Sequence, residues 1–300
     1  MGILIGVNLL TIGCLIQKVY SIFAIEGIAR FRSRDYLTGR QYMPQERIVK
    51  LEDIRSHCQK CSLFQLCMPM GLGDGDLNKL DKIIKRRRPV EKGEYLYRMG
   101  DPFRSMFAVR AGSLKSFTTD QEGQEQIIGF HLPGELLGLD AISRSVHSCS
   151  AKALETVSVC EIPYERLEAL SQEIPGLSHH LLSLMSEELQ HEHCHMALLA
   201  RAPVESRLAS FLVQLSERFK DRGYSATEFN LSMSRNDIAN LLGMAVETIS
   251  RLFSQFQEQH LLIVERKHIQ ILDLPQLQAL SNRCSPPEEK GEDGTSFSAS

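Results

Sequence analysis

Short alternating segments punctuated by glycine fill the middle of the chain, and they constrain its fold more than any other feature. Between residues 89 and 165 these segments include EYLYRM, SMFAVR, SLKSFTT, QEQIIGFHL and TVSVCEI. Glycines separate them at positions 93, 100, 112, 123, 129, 134 and 138. Many short strands with turn residues at this spacing predict an antiparallel β-roll or barrel.

A long helical segment follows the predicted strands, over residues 176–202. Its seam residues recur at alternating steps of three and four, the heptad pattern of a helix that packs on a partner helix. The seam consists of Leu182, Met185, Leu189, Glu192, Met196 and Leu199. This pattern favours a homodimer interface over packing within one domain. Because the Glu192 charge must be desolvated beside its copy, we expect a marginally stable dimer.

Residues 203–280 carry the pattern of a winged helix-turn-helix. Ser234 and Asp237 resemble a capping box at the start of its first helix. Gly243 permits the tight turn before the second helix. Residues 261–272 then predict the β-hairpin wing.

The exposed face of the second helix carries the candidate DNA-reading residues Glu247, Ser250 and Arg251. An Arg can pair with guanine and a Glu can accept from cytosine when such a helix lies in the major groove. The net charge of −3 excludes a polybasic nucleic-acid binder, so binding must come from this local surface.

Three cysteines, Cys58, Cys61 and Cys67, follow the pattern C-x2-C-x5-C. Such clustering in a DNA-binding protein indicates a metal site more than disulfides. An all-cysteine site suits zinc or an iron–sulfur cluster and requires a fourth ligand. The candidates are Cys149, Cys160, Cys194 and Cys284, and spacing alone does not choose between the first two.

The remaining segments divide the chain further. Residues 1–42 begin with an apolar stretch that is too short for a spanning helix and lacks the basic start of a secretory signal. We interpret them as a doubtful extension upstream of a start at Met43, with a membrane anchor or a packed helix as alternatives. Residues 43–75 form the cysteine-rich segment, and residues 76–175 form the roll, which opens with a helix over 76–88. Residues 281–300 have almost no apolar content and are predicted to be disordered.

Four segments together resemble the fumarate and nitrate reduction regulator (FNR) branch of the cyclic-AMP receptor protein superfamily. They are HCQKCSLFQLC (57–67), GFHLPGELLGLDAI (129–142), ALETVSVCEIP (153–163) and VETISRLFSQFQ (246–257). The likeness runs from Met43 to about residue 280. It implies an α+β fold with an N-terminal β-roll sensor domain, a dimerisation helix and a C-terminal winged helix-turn-helix.

The resemblance also implies an oxygen-labile [4Fe-4S] cluster whose ligands match Cys58, Cys61, Cys67 and Cys160 here. Glu247, Ser250 and Arg251 match the residues that read a TTGAT half-site in an inverted repeat. The implied protein is a cytoplasmic transcription regulator that activates or represses genes, with double-stranded DNA and RNA polymerase as partners. Superfamily members that bind a cyclic nucleotide hold its phosphate with an Arg, and His147 occupies that position here.

Two alternatives remain open at this point. One is a regulator of the same superfamily that senses a cyclic nucleotide or another small molecule in the roll. The other is a zinc-stabilised structural or interaction protein. An enzyme is disfavoured, because the sequence has no P-loop, no Ser-His-Asp arrangement and no HExxH motif.

Overall fold

The computed structural model describes residues 72–281 and, before them, residues 58, 61–63 and 66–67. The predicted α+β architecture of a β-roll, a long helix and a winged helix-turn-helix is confirmed. The predictions for residues 1–42 and for the tail beyond Ser281 lie outside the described residues. Within the described ranges, no helix has the length and apolar content needed to cross a membrane.

The roll consists of one helix followed by eight short strands. Their bounds are α1 Asp74–Ile83, β1 Lys85–Arg86, β2 Tyr95–Tyr97, β3 Ser105–Ala111, β4 Leu114–Thr119, β5 Glu125–His131, β6 Leu136–Leu137, β7 Ser150–Ala153 and β8 Ser158–Pro163. The strands form two antiparallel sheets, with the orders β1–β8–β3–β6 and β2–β7–β4–β5. The turn between β3 and β4 requires Gly112, whose φ is +78°, because a Cβ there would lie 2.4 Å from the Thr156 carbonyl oxygen.

The basic residues after α1 form a strand, so the prediction of a helix over 76–88 was wrong at its end. The helix ends at Ile83, and Lys85 and Arg86 pair with Glu161 and Cys160 of β8. Residue 88 precedes Pro89, which disfavours helical backbone there. The open edge of β8 satisfies the backbone of these residues instead, and this partner is distant in sequence.

Helices connect the roll to the C-terminal domain. The bounds are α2 Tyr164–Glu173, α3 Pro175–Arg201, α4 Val204–Asp221, β9 Glu228–Asn230, α5 Arg235–Leu241, α6 Val246–Glu258, β10 Leu262–Glu265, β11 His268–Ile271 and α7 Leu274–Leu280. The wing is a three-stranded sheet in the order β10–β11–β9, and β9 was not predicted. Helix α3 is the predicted long helix, and α5 and α6 form the helix-turn-helix.

The roll and the C-terminal domain share one apolar core. Ile127 and Phe130 of β5 belong to the same buried cluster as Leu208 and Leu212 of α4 and Ile238 of α5. The five side chains are at most 5% exposed. Burial of this kind contributes about 1.5–3 kcal/mol for each large apolar side chain. The helix-turn-helix is therefore packed directly on the edge of the roll.

Candidate functional site

The start of α5 is fixed by a reciprocal cap. The Ser234 Oγ accepts the Asp237 backbone N–H (3.1 Å), and the Asp237 carboxylate accepts the Ser234 N–H (2.9 Å). Gly243 then adopts a φ of +63° in the turn that leads to α6. The predicted capping box and glycine turn are both present, and they set the angle between the two helices.

Helix α6 has one buried and one exposed face. Ile249, Leu252, Phe253 and Phe256 are at most 5% exposed and pack into the shared core. The opposite face presents Glu247, Ser250 and Arg251, which are all exposed. The Ser250 hydroxyl donates to the Val246 carbonyl oxygen (3.0 Å), so its lone pairs face outward as acceptors. The structure thus places the three predicted DNA-reading residues on one solvent-facing stripe.

Two basic residues of the C-terminal domain make contacts that the sequence alone does not reveal. The Arg235 guanidinium lies 3.5 Å from the centre of the Phe253 ring, and its Nη1 is buried without a hydrogen bond among the described residues. Lys267, which lies with Arg266 in the turn of the wing, donates to the Ser232 carbonyl oxygen at 3.0 Å. This bond ties the wing to the start of the helix-turn-helix.

The cysteines at the N-terminal end of the described chain are held against the roll, the domain that carries Cys160. The Cys58 N–H donates to the Asp81 carboxylate of α1 (3.2 Å), and the Cys61 N–H donates to the Cys58 carbonyl oxygen (3.1 Å). Cys67 and Cys160 pack against the same apolar cluster of the roll. Among the residues that the structure describes, no group of three or more His, Cys, Asp or Glu side chains is placed so that it could hold a metal ion.

Burial keeps the protons on two of these thiols. Burial raises the pKa of Cys58 to about 12, with further contributions from Asp81, Cys160 and Cys67. Burial likewise raises the pKa of Cys160, with Arg110 opposing this shift and Cys61 adding to it. Metal binding to thiols requires them to lose their protons. A thiolate-binding cation would therefore stabilise this group in its charged form.

Cys149 lies elsewhere, in the interior of the roll. It belongs to a different apolar cluster from Cys67 and Cys160, and its Sγ contacts the Asp140 carboxylate at 3.7 Å. The fold thus separates the two cysteines between which spacing could not choose.

The roll interior around His147 is filled by aromatic side chains. The His147 ring stacks on Tyr97 with a centroid distance of 3.8 Å, and its exposed fraction is 4%. Burial lowers the pKa of His147, so the ring is neutral near pH 7. The Asp140 carboxylate accepts both the N–H and the hydroxyl of Ser148 (2.8 and 2.7 Å). This position therefore presents a carboxylate and lacks a fixed cation.

The predicted dimer seam lies on the surface of the single chain. Leu182 is 65% exposed, Leu189 57% and Met196 56%. Met185 and Glu192 are also exposed, and Leu199 is half-buried. A row of exposed apolar side chains along one helix is typical of an interaction surface.

Several polar contacts join the roll to the C-terminal domain, and the sequence did not predict them. Lys115 of β4 donates to Glu125 (2.9 Å) and to Asp237 of α5 (3.0 Å). The Asn240 side chain accepts from the Ile127 N–H (2.6 Å) and donates to the Glu125 carbonyl oxygen (2.7 Å). The contacts of Asp237 and Asn240 with the roll join residues more than a hundred positions apart in sequence, so no local pattern reveals them.

Comparisons with known proteins agree with this geometry. Family models for a cyclic nucleotide-binding domain and a Crp-like helix-turn-helix domain match residues 87–173 and 206–280. The transcriptional activator protein anr of Pseudomonas aeruginosa is 51% identical over 227 residues, which is 76% of this chain and 93% of that protein. The fumarate and nitrate reduction regulatory protein of Escherichia coli is 46% identical over 234 residues, again 76% of this chain and 93% of that protein.

A solved structure extends the likeness to the fold. The structure of FixK2 from Bradyrhizobium japonicum has a TM-score of 0.62 and 29% identity, and the match covers 68% of this chain and all of that chain. The relatives are transcription regulators and not enzymes. From the extent of this identity, the chain belongs to the FNR/Anr family of DNA-binding transcription regulators, within the Crp/FNR superfamily.

Proposed function

We propose that this protein is an oxygen-responsive cytoplasmic regulator that holds a [4Fe-4S] cluster and, as a dimer, binds a TTGAT-type inverted repeat. Depending on the promoter, it activates or represses genes of anaerobic metabolism. The observation that carries the proposal is that Cys67 and Cys160 pack against one apolar cluster of the roll, in a chain of this family in which Cys58 and Cys61 shortly precede Cys67.

The donor set fits such a cluster in kind. Cys58, Cys61, Cys67 and Cys160 supply thiol ligands only, as iron–sulfur clusters require. When bound, the cluster supplies iron–sulfur bonds that oxygen destroys. Asp81 anchors the Cys58 backbone to α1, and β8 fixes Cys160 in the sheet.

The position of this group beside α3 supports a role in dimerisation. Leu181 and Leu184 of α3 pack against the same apolar cluster as Cys67 and Cys160. A change in how Cys67 packs against this cluster therefore acts on α3, the helix that carries the exposed seam. In a parallel dimer the two Glu192 carboxylates face each other, which opposes association. A shift of about 1.4 kcal/mol changes a dimer equilibrium tenfold, so modest support from the cysteine segment decides the oligomeric state.

In the dimer, two copies of α6 reach half-sites one DNA turn apart. Arg251 donates to guanine, Glu247 accepts from cytosine, and Ser250 offers the outward lone pairs of its hydroxyl. The turn from Asp120 to Gln124 is the surface we assign to RNA polymerase. It is exposed, and the Asp120 carboxylate holds its shape by accepting the N–H groups of Glu122 (2.9 Å) and Gln124 (2.8 Å).

Cyclic-nucleotide sensing is the weaker candidate. The Asp140 carboxylate takes the Ser148 donors, and His147 is neutral and stacked on Tyr97. A phosphate at this position would meet a negative charge without a compensating cation. The packing thus argues against this ligand.

Anaerobic purification tests the proposal. We expect a coloured protein with iron and acid-labile sulfide, whose absorbance and dimer fraction both fall on exposure to air, as measured by spectroscopy and light scattering. Cys160→Ser should abolish the absorbance, and Cys149→Ser, the matched control, should retain it. A colourless, iron-free protein that still dimerises and binds DNA would refute the proposal, and a stoichiometric zinc content would establish the structural alternative.

A further inference from the structure

Leu66, in the cysteine segment, touches the roll at a glycine turn. This turn, residues 130–135, begins with the last two residues of β5 and leads into β6. A Cβ built on Gly134 would lie 3.0 Å from the Leu66 Cβ and 3.5 Å from the Leu66 carbonyl oxygen. Gly134 also has a φ of +96°, which disfavours other residues there. Leu66, the neighbour of Cys67, thus packs directly on the backbone of this turn.

The next residue, Glu135, binds the first helix of the C-terminal domain. Its carboxylate accepts from Arg218 at 3.0 and 2.6 Å and from Arg222 at 2.5 Å. The two arginines also donate to carbonyl oxygens of the same turn, those of Phe130 (2.6 Å) and Pro133 (2.6 Å). Charge-assisted hydrogen bonds of this kind are about twice as strong as neutral ones and fix geometry. The turn therefore holds α4 through its side chains and its backbone.

The carboxylate is also fixed from within the turn. Its Oε2 accepts the Leu132 N–H (3.0 Å), and the Glu135 carbonyl oxygen accepts the Val109 N–H (2.9 Å). Burial alone would raise the pKa of Glu135, but Arg218 and Arg222 hold it below its ordinary value. The Glu135 carboxylate is therefore ionised near neutral pH, and it pairs as an anion with the guanidinium groups of Arg218 and Arg222.

Two contacts thus fall on adjacent residues. Leu66 packs on Gly134, and Glu135 binds Arg218 and Arg222 at the end of α4. If Leu66 withdraws, water reaches the turn and the partly exposed ion pairs weaken, since exposed pairs contribute little. Helix α4 shares the core of α5 and α6, so its position sets that of the recognition helix.

We propose that Glu135 is a positioning residue, through which the contact of Leu66 with Gly134 controls how α4 and the helix-turn-helix are held on the roll. This inference deepens the proposed function. It rests on that function only in taking gain or loss of the cluster as the signal that moves Leu66. Contact of Leu66 with Gly134 is its structural basis.

A double-mutant cycle on cluster-free protein tests the coupling without any metal. Leu66→Ala and Glu135→Gln, alone and together, are compared by hydrogen exchange of the α4 amides, with the α7 amides as internal reference. We expect Leu66→Ala to speed α4 exchange at least about fivefold in wild type, the low end of coupling between sites, and to have no effect in Glu135→Gln. Glu135→Asp, which keeps the charge, should restore the effect of Leu66→Ala.

Glu125→Gln is the matched control, because Glu125 is a carboxylate of the other contact between roll and C-terminal domain. Leu66→Ala should act in this background as in wild type. Independent effects of Leu66→Ala and Glu135→Gln, or equal loss of coupling in Glu125→Gln, would overturn the inference. Failure of the protein to take up iron would instead refute the proposed function. The double-mutant cycle uses cluster-free protein, so it would still test the coupling between Leu66 and Glu135.

Discussion

Asn240 joins the helix-turn-helix to the edge of the roll, and its removal gives a prediction that can be worked through in numbers. Strand β5 is an edge strand, and the Asn240 carboxamide pairs with its backbone as a neighbouring strand would. Asn240→Ala removes both hydrogen bonds. It leaves the N–H of Ile127, a residue that is 3% exposed, without its partner.

The magnitude follows from the burial of the two groups. An unsatisfied buried polar group costs about 1–3 kcal/mol. The Glu125 carbonyl lies on a residue whose side chain is 38% exposed, so water replaces part of that bond. We therefore expect a loss of about 2–3 kcal/mol in the free energy of unfolding. For a unit of this size the loss lowers Tm by roughly 4–12 °C.

Differential scanning calorimetry measures this change. The shared core predicts one transition in wild type, and Asn240→Ala should shift it downward and separate the melting of the C-terminal domain from that of the roll. Asn240→Asp, which keeps an acceptor for Ile127, should lose about half as much. A single transition within 1 °C of wild type in Asn240→Ala would show that this contact contributes nothing in solution.

Three further predictions concern DNA binding, acid stability and dimerisation. Arg251→Ala should cost about 1–3 kcal/mol on the cognate site and relax discrimination at one base pair in anisotropy titrations; a uniform loss on all DNA sequences would make Arg251 a phosphate contact. The pKa of Asp237 is held below its ordinary value of 3.8, because hydrogen bonds from Ser234 and Lys115 outweigh the effect of burial. The ionised Asp237 carboxylate therefore stabilises the fold above pH 3.8, and this stabilisation is lost as the pH falls further. Tm should therefore fall below about pH 4, and Asp237→Asn should flatten this part of the profile; an unchanged acid profile would contradict the assignment. Glu192→Ala should give a dimer that persists in air by light scattering, and dissociation as in wild type would refute the role of Glu192.

The local parts of the fold could be predicted from the sequence because their signals lie within one element. The Ser234–Asp237 cap, Gly243 and the buried face of α6 are such cases, and all three are present. The strand at Lys85–Arg86 was missed because its partner, β8, lies about 75 residues away and basic residues are also common at helix ends.

The site was predictable in its components and less so in its assembly. Spacing left Cys149 and Cys160 as equal candidates, and only the fold puts them in different clusters. The ion pairs that join the domains were invisible for the same reason. Glu135 and Arg222 are 87 residues apart, and each alone is indistinguishable from a solvated surface charge.

The apolar core common to β5 and the C-terminal helices limits how freely this architecture can be cut and recombined. A fragment that begins at Val204 would lack Ile127 and Phe130, which share a buried cluster with Leu208, Leu212 and Ile238. Such a piece needs a substitute for the strand to remain monomeric, and a chimera that carries a foreign roll needs one with a matching edge. The roll and the C-terminal domain are therefore not independent modules, because the apolar residues of β5 belong to the core of both.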